Sequence, residues 1–197
     1  MDLIAIDGHK PKRMTPKRER QIYRLLNDVT GILDKDTLVK VLSVNEGPEK
    51  GPDFLAVNKK GHLLLGEVKR GGLPSSAWAQ AKQYAKRFAK LREKQLDEEL
   101  AKAGKRGRIR MALKGFLNER ARRAFLNPSR RKLQLVFVAE HFGDHILRRA
   151  THATLGAGLR ARVTDVKCVE LRTYRVHGGG SFAVASVVGG RRRRLRR

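Results

Sequence analysis

Charge placed inside a strand pattern is the strongest constraint on this chain. Leu63-Leu64-Leu65-Gly66-Glu67-Val68-Lys69-Arg70 is an apolar, β-like run, and it follows a similar one, Phe54-Leu55-Ala56-Val57. Between them, Asn58-Lys59-Lys60-Gly61 has the composition of a hairpin turn. Side chains alternate faces along a strand, so Glu67 and Lys69 share a face with Leu63 and Leu65. That face should bury hydrocarbon. A charge there is costly unless it is paired or binds metal. Asp53 opens the first strand, and a hairpin brings it toward the end of the second, where Glu67 and Lys69 sit.

Pro52-Asp53, followed fourteen residues later by Glu67-x-Lys69 on the adjacent strand, resembles the PD-(D/E)XK nuclease superfamily. The resemblance implies that Asp53 and Glu67 ligate Mg²⁺ or Mn²⁺, hard ions that prefer oxygen donors, with the Val68 carbonyl adding a backbone oxygen. Such an ion polarises a phosphoryl oxygen and lowers the pKa of a bound water. Lys69 would orient that water or offset charge developing on the phosphate. The competing reading of the same residues is a solvated strand-end pair, with Asp53 an ordinary turn residue.

Further along, Trp78, Ala81, Tyr84, Ala85, Phe88 and Leu91 form a helical apolar stripe with Gln80 at its edge, one turn before Tyr84. A helix bearing Gln and Tyr four apart after a Glu-x-Lys strand is similar to the archaeal and actinobacterial mismatch-cleaving endonucleases. There, the resemblance implies, Gln80 contacts the lysine or phosphate and Tyr84 packs or hydrogen-bonds beside it. Upstream, Thr15-Pro16 begins an amphipathic helix expected to run to Leu33. Glu19 on that helix matches the place where the superfamily carries an acid facing the metal. Glu46, in the following loop, could approach the same point. The resemblance covers residues 16–91 and further implies DNA more than RNA as substrate, with 5′-phosphate products. A chain of 197 residues is too short for the separate N-terminal DNA-binding domain of the mismatch enzymes, so their specificity is not expected here.

Charge bears on the partner. Lys and Arg number 45 against 19 Asp and Glu, a formal net charge of +26, which points to a polyanion. Nucleic acid leads; no amphipathic membrane helix or lipidation signal supports a membrane surface. The single Cys168 excludes an internal disulfide and a Cys-rich zinc site, and reads as a small apolar strand residue. With neither a secretory signal nor a membrane span, a cytoplasmic, nucleoid-associated protein is expected.

The expected architecture is one α/β domain over residues 1–190. It has a mixed central sheet flanked by helices, restriction-endonuclease-like in arrangement, and an Arg-rich disordered tail over 191–197. Strands are expected at 37–44 and 133–139, a helix over 142–159, and a closing hairpin of 166–174 with 181–188. Residues 93–130 read as a basic helical insert, with one helix from Met111 to Phe125; Arg130, Arg131 and Lys132 extend its cationic surface for clamping a phosphate backbone. His141 and His145 have a zinc-like spacing but lack a third ligand, so they read as loop residues. The functional expectation is a metal-dependent endonuclease, with homodimerisation left open. The alternative is a non-catalytic nucleic-acid-binding protein with a vestigial site, and behind it a basic scaffold of a ribonucleoprotein.

Overall fold

In the computed structural model, residues 12–14, 39–44, 51–102, 107–152, 157–175 and 181–190 are described. The apolar runs become strands: β1 (Lys12–Met14), β2 (Val39–Val44), β3 (Phe54–Asn58), β4 (His62–Gly72), β5 (Lys132–His141), β6 (Val163–Arg175) and β7 (Ser181–Gly190). All seven join one sheet of order β1-β6-β5-β4-β3-β2, with β7 also on β6. Strands β2, β3 and β4 form an antiparallel meander, β4, β5 and β6 run parallel, and β7 returns antiparallel to β6. Strand β7 overlaps both β5 and β1 along β6, so it takes one edge of that strand while β5 and β1 share the other. The β3–β4 turn closes as its composition predicts, through Gly61 N–H to the Asn58 carbonyl at 2.9 Å.

A parallel pair needs a long crossover, and the β4–β5 connection supplies four of the six described helices. They are α1 (Ser75–Phe88), α2 (Glu93–Lys102), α3 (Ile109–Leu113) and α4 (Glu119–Leu126). After β5 come α5 (Asp144–His152) and α6 (Ala157–Arg160). One sheet face, carrying Leu63, Leu65, Leu135 and Phe137, shares a single core with Trp78, Phe88, Leu100, Leu113, Phe125 and Ile146 from five of these helices. The opposite face carries a second cluster that includes Phe54, Ala56, Leu64, Val68, Val136 and Val138. Strand β5 is buried continuously from Leu133 to Glu140, as a strand covered on both faces must be.

The region expected to be a basic insert is thus part of the main core. Its expected single helix from Met111 to Phe125 is two helices. Lys114 is extended and Gly115 takes φ 77°, which ends α3; Asn118 then caps α4 by accepting from Ala121 N–H at 2.9 Å. Lys40 Nζ and Lys59 Nζ donate to the Ala112 and Phe116 carbonyls at 2.6 and 2.7 Å, tying this break to the sheet. Arg131 corrects a second expectation. It points inward, fully buried, so it adds nothing to a surface for phosphate. Cys168 is a buried residue of β6, as read from the sequence. The helix expected over residues 16–33, with Glu19, lies outside the described residues, as do Glu46 and the arginine tail. Among the described residues no helix is long and apolar enough to cross a membrane.

Candidate active site

Register builds the site. Phe54 of β3 pairs with Gly66 of β4, and a Cβ on Gly66 would stand only 1.8 Å from Phe54 Cε1. The phenyl ring fills the space a side chain would need, which locks the two strands against a slip. Asp53, one residue before β3, then falls beside the far half of β4. Its Oδ2 accepts from Val68 N–H at 2.6 Å and from the Lys69 ammonium at 3.4 Å. The same ammonium meets Glu67 Oε1 at 2.8 Å. Lys69 therefore bridges carboxylates contributed by two strands.

Burial sharpens these contacts. The Glu67 side chain is 5% exposed, that of Asp53 18%, and that of Lys69 26%, so the cluster is covered at Glu67 and opens to solvent at the lysine. Glu67 is the register partner of Phe137, on which Trp78 of α1 stacks at 5.7 Å between ring centroids. That stack sets α1 on the sheet and puts an apolar wall next to the carboxylate. Two carboxylates and one ammonium give the three groups a formal charge of −1.

Tyr84 approaches from α1. Burial pushes its phenol pKa above the ordinary value, and the Glu67 and Asp53 carboxylates push it further, with Lys69 and Arg87 pulling the other way. The phenol thus stays protonated well into the alkaline range and lies in the field of both acids. Gln80, one turn earlier on α1, is exposed and is not drawn into this hydrogen-bonded group among the described residues. Val68 enters through its amide, and its side chain is buried in the cluster on the opposite sheet face. Of the residues singled out in the sequence, the fold gathers Asp53, Glu67, Val68, Lys69 and Tyr84.

Two contributors escaped the sequence reading. Gly66 makes the register, as above. Glu140, buried at the end of β5, accepts from Gly71 N–H at 3.0 Å and so holds β4 just beyond Lys69. Its signal was an acid ending an apolar strand, the same kind of conflict that marked Glu67.

The donor set bears on the metal the resemblance implies. Asp53 and Glu67 offer only hard oxygen ligands, and a cation, the Lys69 ammonium, already rests between them. Among the described residues no group of three or more His, Cys, Asp and Glu gathers. Two carboxylates fit Mg²⁺, which uses one or two of them and fills its remaining positions with water and substrate phosphate. No family model, curated protein or solved structure matches the chain.

Proposed function

We propose that the chain is a Mg²⁺- or Mn²⁺-dependent endonuclease of the PD-(D/E)XK type, with a restriction-endonuclease-like core, acting on nucleic acid and on DNA in preference to RNA. The observation that carries this reading is the Lys69 ammonium bridging Asp53 and Glu67, with the protonated Tyr84 phenol beside them. When bound, the metal would polarise a phosphoryl oxygen and activate a water for attack at phosphorus. Asp53 and Glu67 hold the oxygen donors for it at the edge of the apolar core. Lys69, the most exposed of the three, swings its ammonium toward an incoming phosphate and offsets the negative charge that grows there. Tyr84 keeps its proton and donates a hydrogen bond to the same group. The resemblance assigns Gln80, exposed one turn earlier on α1, a contact to the lysine or phosphate, and Glu19 the place of a further acid.

The charges are matched to such a reaction. On formal charges the cluster is −1, a divalent ion would bring +2, and a phosphodiester −1. A second reading is a nucleic-acid-binding protein in which Lys69 is only a structural counter-ion. The presence of just two gathered carboxylates among the described residues favours it. Glu67→Gln separates the two. The wild type is expected to cut duplex or single-stranded DNA only with Mg²⁺ or Mn²⁺, and the variant to cut at least about 100-fold more slowly, the scale of removing one transition-state interaction, while still binding DNA. Equal cleavage by both proteins, or none by the wild type on any DNA or RNA form, overturns the nuclease reading.

A further inference from the structure

The second flank of α1 carries a basic trough. Lys82 and Tyr84 project about 160° apart around the helix axis, given 3.6 residues per turn. Tyr84 therefore faces the acids from one border of the buried stripe, while Lys82 and Lys86 line the other. A cavity of about 580 Å³ there is lined by Lys82, Lys86, Ala89, Lys90, Leu159 and Arg162, among others. A second cavity of about 440 Å³ shares Ala89, Lys90 and Arg162 with it and continues to Arg92 and Ser129. Shared walls make the two one trough. Its described lining holds five cations, Lys82, Lys86, Lys90, Arg92 and Arg162.

We propose that this trough binds the phosphodiester backbone of a nucleic-acid strand, away from the acidic cluster. The argument is shape as much as charge. Lys82 and Lys86 stand four residues apart, a step of about 6 Å along α1, and Lys90 follows in the turn just past the helix end, so the three run along one wall, which suits a linear polyanion better than a lone phosphate. Arg162 closes the row from the other wall, its guanidinium held by a hydrogen bond to the Pro128 carbonyl. Fixed cations cost less ordering when a phosphate arrives, and the Ser129 hydroxyl adds a neutral donor. The proposal shares with the nuclease reading its partner class but none of its catalytic residues.

The test is fluorescence anisotropy with a short labelled DNA duplex, in EDTA, over a range of salt concentrations. The variant is Lys86→Gln/Lys90→Gln/Arg92→Gln, three side chains on the trough wall whose replacement leaves the core untouched. The control, Lys60→Gln/Lys114→Gln/Arg120→Gln, removes the same charge from exposed positions elsewhere. The trough variant is expected to bind at least tenfold more weakly, with a slope of log affinity against log salt shallower by about 2 to 3, close to one for each phosphate that is no longer neutralised. The control should change much less. A trough variant that binds like the wild type, or that weakens no more than the control, overturns the proposal. Glu67→Gln is expected to keep the wild-type slope in the same assay. A wild type that never cuts yet shows the trough-dependent slope supports the trough and removes only the nuclease.

Discussion

Lys69 and Tyr84 meet the same two carboxylates from different elements, and the acids act on them oppositely. They hold the ammonium by charge and hold the phenol by discouraging its ionisation. A phenol whose folded pKa lies above its unfolded value contributes stability that is complete below about pH 10 and is lost as pH rises through the folded value. Glu67→Gln removes one of the charges responsible, so Tyr84 should ionise at lower pH in that variant than in the wild type. Phenolate absorbance, with Tyr84→Phe subtracted to isolate this residue, reads the shift; an unchanged midpoint would detach Tyr84 from the site. At this scale the sequence was legible wherever a residue violated its own local pattern. Glu67 and Lys69 stood out against Leu63 and Leu65, and Tyr84 followed from helical spacing. Gly66 violated nothing, because its reason lies in a phenyl ring on the neighbouring strand.

Elements set those residues in place, and the β3–β4 pair is the one that matters most. Putting a methyl group on Gly66 forces the Phe54 ring to move, since no Cβ tolerates a carbon at 1.8 Å. Phe54 adjoins Asp53 in the chain, so the displacement passes directly to the Asp53–Val68 and Asp53–Lys69 contacts. Gly66→Ala should therefore cost roughly 1–3 kcal/mol or more, the scale of core overpacking. Under the proposed nuclease reading, its effect on Mg²⁺-dependent cleavage should exceed what the lost folded fraction explains. Urea denaturation and cleavage per folded molecule measure the two separately; normal cleavage by the folded fraction would show the register to be irrelevant to the site. Helix boundaries were less legible than strands. Met111 to Phe125 keeps apolar spacing throughout, and only Gly115, with Asn118 serving as a new cap, divides it. A glycine inside a helical pattern is tolerated often enough that spacing alone does not reveal the break.

Across the whole molecule, a charge of +26 overstates what a polyanion can meet, because part of it is internal wiring. Arg131 is the clearest case. Its Nε donates to the Phe125 carbonyl at 2.7 Å, its Nη1 to Phe88 and Leu91 at 2.8 and 2.7 Å, and its Nη2 to Leu126 at 3.4 Å. These carbonyls end or closely follow α1 and α4, where helices leave acceptors unsatisfied and partial negative charge accumulates. Burial, with the Arg162 charge nearby, lowers its pKa to about 10, which still leaves it a cation at neutral pH. One side chain from the residue just before β5 thus closes two helices that lie far apart in the chain. Sequence reading placed Arg131 on the surface, because no local pattern links it to Phe88 and Phe125. Arg131→Met should cost about 3 kcal/mol or more, since it strands several buried acceptors at once, and would appear as a lower urea midpoint. For DNA binding by the folded variant the expectation is the reverse of that for the trough: the salt slope stays at the wild-type value. A slope shallower by about 1 would mean that Arg131 meets a phosphate after all.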